Sequence, residues 1–597
     1  MMIREVINKF KKYILNEKVY FKEWIKEKEN IDIGFLKAQI DLFSYKPKIS
    51  IVIPVYNVDI NILDDCISSV LKQLYDNWEL CLVDDASPNP QIREKIIKYS
   101  ETDKRIKYKI RRENGHISKA TNDGIKLSNG EFIAFMDNDD LLSPNALYEI
   151  VNVLNRNEDL DIIYSDEDKI DTKNKRSKPF FKPDWSPDTI LSQNYVCHFL
   201  VIRKTLVEMV GGFEIGLDGA QDYDLVLKCS EKTNASKIFH ISKILYHWRK
   251  VEGSTSQNPK AKGYAFDAGK KVIENTLVRR GKEANVNMGA SLGTYIVEYN
   301  ITGLPRVSII IPTKEHASDL DQCLHSIITK TDYENYEIII IDNGSKSNEL
   351  VAIYEKYSGM LKERFKVINL DIPFNYSKLN NTAVNHATGE FLVLMNNDIE
   401  ILTPNWLELM LGYAQQSHIG AVGIKLYYPD ESIQHAGVVL GIGGVAGHSH
   451  KHLSKKDHGY FNRLIIPSNY SAVTAACLMV KKEDYLSVDG LDEINLPVAF
   501  NDVDFCIKLL EKGLYNICLS QVEAIHYESK SRGKENNPEK QQRFSSEVEF
   551  MKKKWGDALY HDKYYNPNLS LYNEWFGING SIVGRAYYEF TSMFKKI

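Results

Sequence analysis

Short runs of apolar, largely β-branched residues alternate along the chain with stretches whose apolar positions recur at helical spacing. Ile49–Pro54 reads as a strand, Ile62–Leu74 as an amphipathic helix and Glu79–Val83 as the next strand. Ile92–Ser100 reads as another helix and Phe132–Met136 as another strand. This alternation predicts an α/β fold on a mostly parallel, doubly wound sheet. Ligands of such sheets bind outside the carboxyl ends of the strands. One strand end stands out. In GEFIAFMDNDD, Gly130–Asp140, the apolar run stops at Asp137, Asn138, Asp139 and Asp140, like charges that repel unless something offsets them.

The pattern is written twice. ISIVIPVYN (Ile49–Asn57) returns as VSIIIPTKE (Val307–Glu315), with Pro54 and Pro312 258 positions apart. Asp84 and Asp342 keep that offset, and Asp139 and Asp398 differ by 259. Farther on, Asp222 answers Asp502 at 280, and His247 answers His526 at 279. An offset that is constant and then jumps predicts two copies of one domain, at residues 48–280 and 305–560, the second carrying about 21 extra residues (280 − 259). Residues 281–304 read as the connection between them. Residues 1–47 form a Lys- and Glu-rich helical extension, and 561–597 an aromatic tail without clear periodicity.

Composition narrows the class. A chain of 597 residues is too long for one core. A net charge of -5 argues against a general nucleic-acid binder. No apolar run approaches the roughly 20 residues that span a bilayer, and the N-terminus lacks the pattern of a secretory signal. Eight scattered cysteines without C-x-x-C spacing read as reduced thiols. A cytoplasmic protein is expected, with the inner face of the cell membrane as a second location: the Lys-rich N-terminus could lie on an anionic lipid surface. Docking on the first domain and self-association are the alternatives.

Oxygen ligands at a strand end suit a hard cation, Mg²⁺ or Mn²⁺, shared with a substrate's phosphates. For a lone D-x-D a solvated turn is the better reading; recurrence in GEFLVLMNNDI (Gly389–Ile399), with Asn396 in place of Asp137, favours a site. Asp84 and Asp85, ending the second strand, can accept hydrogen bonds from a base N–H or a ribose hydroxyl, or cap a turn. Asp222 and Asp502 each precede a helix, as caps or as general bases. His247 and His526 could close a metal or diphosphate site. VVLGIGGVAG (Val438–Gly447) mimics a dinucleotide fingerprint, but HSHKHLSKKDHGY follows instead of an apolar-periodic helix. It reads as a glycine-rich loop over the second site, and His448, His450 and His452 lack the partners of a zinc site.

With PVYN, VDDAS, MDNDD, AQDYDLVLK and HWR in this order, the chain resembles the inverting family 2 glycosyltransferases of the GT-A fold, twice over. YSDEDKID, FFKPDWSPD, QNYVCHF, IQHAGVVLG and FNDVDFCIKL resemble a rhamnosyltransferase-like branch that builds bacterial surface polysaccharides. The resemblance implies a nucleotide-diphospho-sugar donor and a glycan or lipid-linked glycan acceptor. It also implies a hexosyltransferase-type, metal-dependent transfer with inversion, at two active sites. It places the nucleotide-sugar against Pro54, Tyr56, Asn57, Asp84, Asp85 and Asp137, and in the second copy against Pro312, Asp342 and Asn396. Mn²⁺ or Mg²⁺ would be held by Asp139 and His247, and by Asp398 and His526; Asp222 and Asp502 would be the bases. Lys314-Glu315 departs from Tyr56-Asn57. Two rival readings stand beside this one. Catalysis could be confined to the first copy, with the second a glycan-binding module. A nucleotidyltransferase is the other, though the glycine-rich basic loop expected after its first strand is missing.

Overall fold

The computed structural model describes residues 17–250, 263–528 and 537–579; expectations for residues 1–16 and 580–597 lie outside the described residues. Two large sheets follow one plan. In the first, the strands Ile106–Ile110, Trp78–Asp84, Ile49–Val55 and Phe132–Phe135 lie side by side and parallel. The second repeats them as Phe365–Asn369, Tyr336–Asp342, Val307–Thr313 and Phe391–Met395. Register is preserved: Val55 faces Asp84, and Thr313 faces Asp342. Beyond these strands the sheets become mixed, although Ile162–Ile170 with Ile238–Arg249 and Ile419–Tyr427 with Tyr515–His526 still pair parallel. Leu200–Arg203 and Cys477–Lys481 enter antiparallel to the acidic strands, making both sheets mixed.

A buried polar clasp explains part of the repeated phrase. Ser50 Oγ donates to Glu79 Oε1 at 2.7 Å and accepts from Gly130 N at 2.8 Å. Ser308, Glu337 and Gly389 make the same bonds at 2.7 and 2.9 Å. A Cβ on Gly130 would sit 2.6 Å from Ser50 Oγ, and one on Gly389 2.7 Å from Ser308 N. Glycine is therefore required where the acidic strand starts against the first strand.

Residues outside the repeats tie the halves together. Between the sheets Ala284–Met288 and Tyr295–Tyr299 form a hairpin, and Tyr413 donates to Val297 O. The N-terminal helix Glu17–Lys28 buries Phe21 and Trp24, with Trp24 5.1 Å from the Phe181 ring. The described part of the tail, residues 561–579, unassigned from sequence, is a clamp. Asn566 Nδ2 donates to both Asp166 oxygens at 3.0 Å, while Arg463 donates to Tyr564 O and Asp562 accepts from Leu440 N. Across the same seam Asn469 bonds Asp188 and Thr189, and His418 lies 3.0 Å from Asp188. The glycine-rich segment is not a loose loop: Val438–Leu440 pairs with Ala446–His448, and Val438, Val439, Leu440 and Ile442 are buried. Among the described residues no helix is long and apolar enough to cross a membrane.

The clamp carries a pH signature. His240 is buried between Asp166, 2.9 Å from Nε2, and Asp184, 3.1 Å from Nδ1. Burial lowers its pKa, but the two carboxylates outweigh burial and lift it from 6.5 to about 9. A pKa raised on folding adds stability that is complete below the unfolded value and lost as pH rises through the folded one. Wild-type melting temperature is therefore expected to fall as pH rises from about 6.5 to about 9, and that fall should shrink in His240→Gln. An identical pH dependence in both proteins contradicts the assignment.

Candidate active sites

The acids at the first strand end divide the work. Asp140 is buried and anchors: its Oδ2 accepts from Tyr246 OH at 2.5 Å and its Oδ1 from Arg249 N at 2.7 Å. Asn138 Nδ2 donates to Pro54 O at 2.9 Å, holding the turn over the first strand. Asp137 and Asp139 remain for a ligand. Burial and then Asp137 raise Asp139 from 3.8 to about 6, and an opposite charge nearby would favour its ionised form. Asp137, Asp140 and His198 each offer a ligand atom within 4.8 Å of the others, a set that draws on the anchoring Asp140 and does not include Asp139, the metal ligand expected from sequence. His198 Nε2 lies 3.7 Å from Asp137 Oδ2, and its ring stacks on Tyr246 at 4.7 Å. Two carboxylates and an imidazole fit a divalent cation such as Mn²⁺ or Mg²⁺.

His198 was not singled out from the sequence, and His247 occupies another place. The register shows why. Leu141 pairs with His247 and Leu142 with Tyr246. In the second sheet Glu400, the match of Leu141, pairs with Ile525, and Ile401 with Ala524. His247 therefore aligns with Ile525, and His526 with Trp248. The matching of His247 to His526 is corrected by one residue, and one residue along a strand reverses the face. His247 turns to Asp168, its Nδ1 2.6 Å from Oδ1, and Arg176 Nε binds the same carboxylate at 2.5 Å. His526 turns to the strand end: its Nε2 is 3.1 Å from Asp398 Oδ1 and 3.3 Å from Asn396 Nδ2. Each site thus has one imidazole at the acids, supplied by different parts of the chain.

Asp222 begins the helix Gln221–Ser230 and accepts from Asn194 Nδ2 at 3.1 Å. Burial raises its pKa; His198 counters this and Asp137 adds to it, so all three share one electrostatic environment. Asp502 begins Asn501–Glu511 and accepts from Ala475 N at 3.1 Å, and burial raises it likewise. A raised carboxylate holds a proton more readily, as a general base requires. Asp85 is committed elsewhere, to Arg111 at 2.7 Å and Gly115 N at 2.9 Å.

A family model described as glycosyl transferase family 2 matches residues 50–211 and again 308–474. The chain belongs to that family. Its two family 2 domains have relatives that keep both copies in one protein. "Uncharacterized protein y4gI" of Sinorhizobium fredii is 44% identical over 92% of this chain and 60% of its own length. "O-antigen biosynthesis protein RfbC" of Myxococcus xanthus is 36% identical over 92% of this chain and 42% of its own. The chain thus spans about half the length of these curated relatives. The solved structure of S. aureus TarS with UDP-GlcNAc matches at TM-score 0.32 and 20% identity, over 39% of this chain and 66% of that one.

The two family 2 domains differ where the second strand ends. Asp84 Oδ1 accepts from Ser87 N at 3.0 Å, but its buried Oδ2 has no partner. Asp342 Oδ1 accepts from Ser345 N at 2.8 Å, and its Oδ2 accepts from Tyr354 OH at 3.0 Å. Ile96 holds the place of Tyr354 at the 258 offset. The turn after the first strand is kept despite its different residues. Asn57 and Glu315 both adopt positive φ, and each backbone N donates to a serine, Ser87 or Ser345. Tyr56 and Lys314 stand exposed beside it, while Pro312 is buried. The histidines after the glycine-rich segment scatter. His448 Nδ1 meets His435 Nδ1 at 3.0 Å, His450 stacks on Phe576, and His452 stacks on Tyr428.

Proposed function

We propose that this protein transfers sugars from nucleotide-diphospho-sugar donors to hydroxyls of a growing surface glycan, with inversion, at two active sites. The observation that carries this reading is the recurrence of one constellation in both family 2 domains. Each has an acidic strand end with an imidazole against it, and a raised carboxylate at the start of a nearby helix. The names of two relatives, an O-antigen biosynthesis protein and the chondroitin synthase of Escherichia coli, support a polysaccharide product.

Asp137 and Asn396 would bond the donor's ribose. In the first site a divalent cation that offsets charge on the departing nucleoside diphosphate would be held by Asp137, Asp140 and His198 with Asp139 beside them, and in the second by Asp398 and His526. Asp222 and Asp502 would each take the proton from an acceptor hydroxyl as it attacks the anomeric carbon from the face opposite the leaving group. A lipid-linked acceptor at the inner membrane face fits this chemistry, and sedimentation with anionic vesicles tests it. A screen of nucleotide sugars against the full chain, reading released nucleoside diphosphate, tests the reading as a whole. Release from none of them contradicts it.

Asp84 and Asp342 give the sites different base pockets. An unpartnered buried carboxylate oxygen favours a ligand that brings an N–H, such as the imide of UDP. In the second domain Tyr354 already supplies a donor. Tyr354→Phe is expected to tighten UDP binding there by roughly fivefold, the scale of one neutral hydrogen bond. Calorimetric titration checks this, and unchanged affinity contradicts it.

A further inference from the structure

His526 is held from both sides of its ring. Its Nδ1 lies 2.7 Å from Gln434 Oε1, and its Nε2 lies 3.3 Å from Asn396 Nδ2 and 3.1 Å from Asp398 Oδ1. An amide nitrogen only donates and an amide oxygen only accepts. Gln434 Oε1 therefore accepts from Nδ1, while Nε2 lies between a donor, Asn396 Nδ2, and an acceptor, Asp398 Oδ1. Nδ1 carries the proton and donates it to Gln434. The Gln434 amide is itself oriented, since its Nε2 donates to Glu528 Oε2 at 3.2 Å. Gln434 is only 3% exposed, which leaves little water to compete for its carbonyl.

We infer that Gln434, on the short strand Ile433–His435, is a positioning residue that fixes His526 as the Nδ1–H tautomer. The Nε2 lone pair is thereby turned towards Asp398, ready for a divalent cation. The inference rests on the proposed metal role of the second site and adds the residue that sets up its nitrogen ligand. Partners behind a ligating imidazole fix its tautomer and aim, and their loss commonly weakens metal binding by about 10–100-fold. The alternative tautomer would point an N–H at the cation and would leave Gln434 Oε1 facing a lone pair.

Gln434 lies before the glycine-rich segment and far in sequence from His526. It joins the site because Leu426–Tyr427 pairs with Ile433–His435 on one side and with Ala524–Ile525 on the other. Among the described residues no side-chain amide bonds the His198 ring, which comes from the segment preceding Leu200–Arg203. The support behind His526 therefore belongs to the second site.

The test is Mn²⁺ titration followed by electron paramagnetic resonance, on the full chain carrying Asp137→Ala and Asp139→Ala to silence the first site. In this background Gln434→Met, close in volume but without a strong acceptor, is expected to weaken Mn²⁺ binding by about 10–100-fold. Gln434→Glu keeps an acceptor for Nδ1–H and is expected to bind close to the parent. Parent-like binding in Gln434→Met overturns the inference, as does an equal loss in both variants, which would mean packing alone. His526→Ala separates the underlying reading: if it binds Mn²⁺ like the parent, the metal role of His526 fails. If Gln434→Met proves unfolded by its melting curve, Gln434→Asn replaces it; its shorter amide falls short of Nδ1, and the same loss is expected.

Discussion

Asp222→Asn is expected to lower transfer at the first site by about 10²-fold or more, the scale of losing a general base, with nucleotide binding intact. The amide preserves the carboxylate's shape but cannot take a proton from the acceptor. The position suits the task. Burial raises the carboxyl's proton affinity, Asn194 orients one oxygen, and His198 and Asp137 lie close enough to influence its charge. Asp502→Asn should act in the same way on the second site, where Ala475 N holds the carboxylate. If nucleotide affinity fell in either variant while kcat did not, these residues would be donor ligands or helix caps, and the base assignment would be wrong.

Removing divalent cations is the second large effect. Excess chelator is expected to abolish turnover, and Mn²⁺ or Mg²⁺ to restore it. The physical reason lies in the crowding of Asp137, Asp139 and Asp140. Two of them are pushed towards protonation by burial and by one another, so a cation relieves repulsion as well as providing a template. The same cation should raise the melting temperature, because a ligand bound only by the folded state stabilises it by about 2.7 kcal/mol at a hundredfold excess over Kd. Full activity in excess chelator contradicts the metal assignment.

The repeat was legible because its strongest signals are local. Apolar runs that end in Asp84, Asp342 or the NND phrase report their own strand ends, and the structure gives the two sheets one register. The glycine that opens each acidic strand is explained by close contacts at the start of the first strand, with Ser50 and Lys48 O or with Ser308 and Arg306 O. What escaped depends on pairing between distant segments. A strand's period of two hides a one-residue slip in sequence, so His247 and His526 looked equivalent although they point to opposite faces. His198 carried only the phrase QNYVCHF, with no acid nearby in sequence; antiparallel entry of Leu200–Arg203 beside the acidic strand brings it in. The tail was opaque because its partners, Asp166 and Leu440 among them, lie more than a hundred residues away.

Two proposed active sites in one chain would make two transfers, with the product of one site serving as acceptor for the other. Tethering raises the effective concentration of that intermediate. Asn396 for Asp137, Lys314-Glu315 for Tyr56-Asn57 and the Tyr354 bond to Asp342 argue that the sites make different linkages. Linkage analysis of the product made by Asp398→Ala tests this most directly. One linkage should be missing while the other forms normally, Asp139→Ala should show the reverse, and a mixture of the two variants should partly restore the full product. An Asp398→Ala product with every wild-type linkage, made at the wild-type rate, would contradict a second transferase site.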